Sequence, residues 1–213
     1  MRTLKRRLSR YSGLLYLLFA GGTLAAGQSL EAVAIDGGSA GFEAGTNVPG
    51  IEIKGSSSQL SGRAAVSRAA SGLTIGEVHV SLPAKSLATG MKVRDEHMQK
   101  YIFTTPDGQM PDIEFTAGET NCPAAGGAGE FTCPVSGTLT IRGTAHSFAM
   151  NLSVKEPAPG SFRVSGDGVV KLSDYGIPLP KQFGVTAANN VKVHLAFAGR
   201  PAPAETAAGG GAR

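Results

Sequence analysis

The stretch FAMNLSV, Phe148 to Val154, decides the fold. Phe148, Met150, Leu152 and Val154 stand at alternate positions, with Ala149, Asn151 and Ser153 between them. A period of two puts the large side chains on one face of a β-strand and the small or polar ones on the other. Working outward, the same pattern returns. Val78, Val80 and Leu82 alternate with Glu77, His79 and Ser81, and Ile113, Phe115 and Ala117 alternate with Asp112, Glu114 and Thr116. Leu139 and Ile141 alternate with Thr138, Thr140 and Arg142, and Val191, Val193, Leu195 and Phe197 form a last row. Strands with one apolar and one polar face belong to antiparallel sheets wetted on one side. Turns are read at VPG before Ile51, SSSQLSG, RAASG, the glycines from 126 to 129, and EPAPG at 156–160. Eight or so such strands bury their apolar faces by closing into a barrel or by stacking as a sandwich.

One segment departs from this period. Between Pro83 and Phe103, Leu87, Met91, Met98 and Ile102 recur at helical spacing, with Ser86 or Thr89 available as N-cap. Arg94, Asp95, Glu96 and His97 follow one another in it. Adjacent helical positions point in different directions, so the run reads as a solvated or ion-paired outer side rather than a catalytic cluster.

The 213 residues fit one domain, and the net charge of +4 must be located before it is used. Arg2, Lys5, Arg6, Arg7 and Arg10 all lie in the first 27 residues, which hold no acid. Removing these five from 20 basic residues leaves 15 against 16 acidic ones, a net charge near −1. No nucleic-acid partner is expected. The same segment has a basic start, an apolar run from Leu14 to Leu24 and small residues at Ala25 and Gly27. It reads as a signal peptide, residues 1–27, cleaved after Gly27 or Ala26, which implies export without stable membrane insertion. In an oxidising compartment Cys122 and Cys133, flanking a Gly/Ala-rich turn, are placed to bridge a hairpin. No CxxC or HxH pattern supports a metal site. Residues 199–213, ending in PAPAETAAGGGAR, read as a disordered low-complexity tail.

The motifs SLPAKSLATGMKVRDEHM, MPDIEF at 110–115, SGTLTIRGTAH at 136–146 and DYGIP at 174–178, in this order, resemble the YceI-like family of exported lipid-binding proteins over residues 33–198. The resemblance implies an all-β fold, a lipocalin-like antiparallel β-barrel with a short helical segment covering one end. It also implies a periplasmic, non-enzymatic carrier holding a polyisoprenoid, ubiquinone-like or related amphiphile in the barrel interior, with no other cofactor. The chain departs from the family at Thr46 and Asn47, where a histidine is expected.

Face parity names the side chains expected to line such a cavity: Met91, Met98, Phe103, Phe115, Ile141, Met150, Leu152 and Phe197. Periodicity alone does not separate a lined cavity from a packed core. Two rivals therefore stand beside the carrier. One is a protein-interaction or stress-related structural module with a filled barrel; the other is a barrel enzyme using His97 and Asp95 as acid and base. No GxSxG, HExxH or phosphate-binding glycine motif favours the enzyme. His79 and His194 fall on polar strand faces and His146 beside a turn. A homodimer is left open.

Overall fold

The computed structural model describes residues 31–69 and 71–202. The expected signal peptide and most of the expected tail lie outside them. Ten strands run β1 (Glu31–Thr46), β2 (Glu52–Ala69), β3 (Gly72–Leu82), β4 (Ile113–Ala117), β5 (Thr120–Pro123), β6 (Glu130–Ile141), β7 (Thr144–Ala158), β8 (Ser161–Lys171), β9 (Lys181–Gln182) and β10 (Val185–Pro201). All pairings are antiparallel. The order β1-β2-β3-β4-β6-β7-β8-β10 closes through β1 and β10. Since β5 continues the position of β4 along β3, this is an eight-stranded barrel and not a sandwich. Closure removes the exposed sheet edges that would template aggregation.

Three expectations about boundaries change. SSSQLSG is not a turn but the middle of β2. Its backbone is paired with β1 on one side and reaches β3 on the other, and Ser57, buried, bonds its hydroxyl to that of Ser86 at 2.6 Å. A serine run breaks a strand when its side chains compete for the backbone; the Ser57 hydroxyl accepts from the Gln59 N–H at 3.1 Å, yet the strand pairing continues through it. The tail is expected from residue 199, but Gly199, Arg200 and Pro201 belong to β10 and pair with Ile35, Ala34 and Val33. Helix also occupies less of the 83–103 segment than its apolar spacing suggests.

That segment comprises a 3-10 turn at Ala84–Ser86, extended chain, helix α1 (Lys92–Met98) and a π-turn at Gln99–Phe103. The N-cap is Met91, which contributes no side-chain bond, rather than Ser86 or Thr89. Thr89 acts from outside the helix. Its backbone N–H and its hydroxyl both donate to Asp95 Oδ1, at 2.7 and 2.5 Å. Arg94 returns bonds to the Thr89 hydroxyl and carbonyl at 2.8 and 2.9 Å. The donors from Thr89, with the Arg94 charge a smaller contribution, hold the Asp95 carboxyl below its ordinary range. Arg94 and Asp95 thus clamp the first turn onto the strap that leads into it, while Met98 and Phe103 further along are buried. The helix is a lid pinned at its start.

In β3 the wall reverses its parity in a way that the alternation does not announce. Leu73 and Ile75 face inward, and so do Val78, Val80 and Leu82. Glu77, in left-handed backbone at φ 50°, absorbs the extra residue. The register of β3 on β2 shifts by one at this place, which is a β-bulge.

Candidate ligand-binding cavity

The inward faces do not meet. They enclose a cavity of about 1030 Å³ that runs from the lid down the barrel. Several inward side chains are only half-buried although they point to the barrel axis, among them Phe115, Met150, Leu152 and Phe197. Their accessible surface is the surface of the void.

Glycines on the inner face keep the lumen open. Phe148 leans over Gly168, where an added Cβ would come within 2.7 Å of the ring, and Phe115 leans over Gly137 at 2.8 Å. The two rings meet edge to face, 6.1 Å between centroids. Laid against bare backbone, the aromatic rings line the wall instead of projecting into the centre, and a side chain at Gly168 would push Phe148 into the lumen.

The two ends of the cavity differ. At the far end Val33, Leu73, Val135, Val154 and Phe162 pack around the Cys122–Cys133 disulfide, and all are 4% exposed or less. At the lid end the cavity opens between α1, the β1–β2 turn and the β9–β10 hairpin, past Ile51, Met91, Leu179 and Phe183. Most polar side chains on its wall gather there: Thr89, Arg94, His97, Lys181 and Gln182. His97 Nδ1 and Gln182 Oε1, 2.9 Å apart, connect the lid to β9.

All eight side chains expected from face parity lie on the wall of this cavity. Met98, Phe103 and Ile141 are buried beneath the lid, Met91 stands exposed at the mouth, and the other four line the shaft. Reading the sequence missed the bottom of the shaft, including Leu73, Phe162 and Val164. In β8 the signal is present but diluted, because the inward row reads Phe162, Val164, Gly166, Gly168, Val170. Cys122 and Cys133 are joined across the β5–β6 hairpin.

Catalytic geometry is not assembled at the mouth. Asp95 is committed to Thr89 and His97 to Gln182, so the two do not form an acid–base pair. His194 lies on the outer wall with Nδ1 2.5 Å from Asp167 Oδ1, and His146 is exposed and edges onto Tyr175 at 5.9 Å. Among the described residues no three His, Cys, Asp or Glu side chains come together as a metal site would require.

A closed antiparallel barrel with a lidded, one-ended apolar cavity defines a class of proteins built to enclose an apolar ligand. The chain belongs to the YceI-like domain family, whose pattern matches residues 33–198. Its fold is similar to that of a polyisoprenoid binding domain from Saccharophagus degradans implicated in plant cell wall breakdown. The two share 18% identity and a TM-score of 0.60, over 81% of this chain and 99% of that one. It is also similar to BcnA of Burkholderia cenocepacia, with 16% identity and a TM-score of 0.58 over 76% of this chain and 95% of that one. No curated protein sequence matches the chain.

Proposed function

We propose that the protein is a periplasmic, non-enzymatic carrier that holds a polyisoprenoid, such as a ubiquinone-like lipid or related amphiphile, with its chain in the barrel. The observation that carries this reading is the cavity itself, open at one end and apolar to the bottom. Among the described residues no helix is long and apolar enough to cross a membrane. The similarity in fold to a polyisoprenoid binding domain supports the class of ligand. Removing apolar ligand surface from water at about 25 cal/mol per Å² supplies the driving force, less the cost of ordering the chain.

The polar groups at the mouth give an amphiphile its direction. Arg94, His97, Lys181 and Gln182 are donors within reach of a head group, whereas the shaft below them is lined almost wholly by apolar side chains. A chain with a carbonyl- or phosphate-bearing head therefore enters tail first. Met91, Met98 and Met150 suit a flexible chain, since unbranched thioethers re-pack at little cost.

Native mass spectrometry of protein purified without detergent, followed by extraction and identification of the adduct, tests this reading. A stoichiometric isoprenoid adduct is expected, and it should be absent from Met150→Glu, whose carboxylate enters the shaft. An adduct retained by the folded variant would remove Met150 from the binding site. A ligand-free mass that persists after incubation with quinones and polyprenols would leave the cavity without this function.

A further inference from the structure

Six of the seven exposed large apolar side chains among the described residues lie at the cavity mouth: Ile51, Met91, Val93, Tyr101, Leu179 and Phe183. They come from three separate segments, the β1–β2 turn, the lid, and the β9–β10 hairpin with the loop leading into it. Only Val169 stands elsewhere, on β8. Apolar side chains gathered into one rim, rather than scattered singly, mark an interaction surface.

Phe183 is the one that folding explains least. Gln182 pairs with Val185, so Phe183 and Gly184 form a two-residue hairpin turn with φ 51° and 81°. Turns with two positive φ values favour Asn or Gly, and a bulky residue there is strained. Its side chain makes no compensating contact, because it is 97% exposed. The aromatic ring therefore serves something other than the fold. The hairpin that carries it is nonetheless held firmly. The Asn47 side chain donates to the Gly184 carbonyl at 3.2 Å and accepts from the Thr186 N–H at 2.7 Å.

Cations surround the apolar rim. Lys92, Lys100 and Lys181 are exposed, and Lys100 Nζ lies 5.1 Å from the Tyr101 ring centroid. Of the lid acids, Asp95 is turned to Thr89 and Glu96 stands 4.0 Å from Lys92. Aromatic and aliphatic tips flanked by lysine are the composition that settles into a bilayer interface, the apolar groups at the acyl boundary and the amines among anionic head groups.

Resting on the reading of the cavity as a lipid carrier, we propose that the mouth docks on the surface of an anionic phospholipid bilayer. Phe183, Leu179, Val93 and Met91 enter the interface, so the amphiphile passes between the acyl layer and the cavity without crossing water. The bilayer is the favoured occupant because the cavity opens inside the apolar rim, where its ligand must leave or arrive, and because the charge of the rim complements acidic lipid.

The chain contains no tryptophan, so Phe183→Trp installs a single local reporter. In the full protein mixed with phosphatidylglycerol/phosphatidylethanolamine vesicles, its emission is expected to shift to the blue and to be quenched by brominated acyl chains. Val169→Trp on the wall should do neither, which controls for anything the N-terminal segment contributes. Without the reporter, Phe183→Ala should lower vesicle partitioning about tenfold, the effect of withholding one aromatic side chain from the apolar phase, and added salt should weaken binding further. Indole emission from the Phe183→Trp protein that vesicles leave unmoved would overturn the proposal. So would a blue shift that tracks protein concentration in the absence of lipid, since the rim would then pair two copies. Adduct mass measured in parallel separates the two readings: ligand retained without docking sinks only the docking, and docking without any retained isoprenoid sinks the carrier.

Discussion

The two ends of the barrel are built by opposite rules. At the far end, Val154, Cys122 and Cys133 are 1% exposed or less, a disulfide joins the hairpin, and every apolar side chain has partners. At the mouth, side chains of the same chemistry stand in water, one of them on a strained turn. The far end uses its apolar surface for stability and the mouth keeps its own exposed. Substitutions at the two ends should accordingly fail in different assays.

The largest stability effect is expected from Leu73→Ala at the far end, about 2–5 kcal/mol by the cost of a cavity in a collapsed core. Chemical denaturation reads it, and a loss below about 1 kcal/mol would mean that the bottom of the shaft is not packed as described. Replacing Cys122 and Cys133 together with alanine should follow, at about 3 kcal/mol for a loop of this length. If reduction leaves the denaturation midpoint where it was, the disulfide does not brace that end. Phe183→Gly should act in the other direction, raising stability by about 1 kcal/mol as the backbone strain is relieved. A folded protein made less stable by that change would show that the ring packs on something, against its place in the open.

The smallest effect concerns the lid. Asp95 is held below its ordinary range by Thr89, so the clamp is fully formed above the usual carboxylate value of 3.8 and is released as pH falls through the depressed one. Protection of the Thr89 amide against hydrogen exchange, relative to its intrinsic rate at each pH, should fall on acidification, while that of amides around Cys133 holds. Asp95→Asn should remove most of that pH dependence. Equal protection of Thr89 in acid and at neutral pH would mean that this carboxylate does not pin the lid.

How much of this was written in the sequence follows the same division. The rows Phe148–Val154 and Val191–Phe197 are legible because each is an unbroken period-two run with one face in the lumen. Met150, Leu152 and Phe197 followed from that parity, and the short helix at the mouth from its own spacing. The bottom of the shaft was not legible. The Glu77 bulge reverses parity between Ile75 and Val78, and Gly166 and Gly168 interrupt the inward row of β8. The serines of β2 looked like a turn because serine-rich composition favours loops, whereas the pairing that makes them a strand comes from β1 and β3, distant in sequence. Whether the lumen is empty or filled is beyond alternation, since both have the same period; it depends on which rings find a glycine to lie against. Nor does periodicity reveal that an exposed Phe183 stands beside the opening. Only closure of the barrel brings residues 51, 91 and 183 to one rim.

A crystal structure of the protein with the amphiphile extracted from it would test most directly that this is a one-ended container. The tail is expected among Phe115, Met150, Leu152 and Phe197, above the packed far end, and the head group between Arg94, His97 and Gln182. A ligand lying across the outer wall, or threaded with its head beside the disulfide, would contradict it.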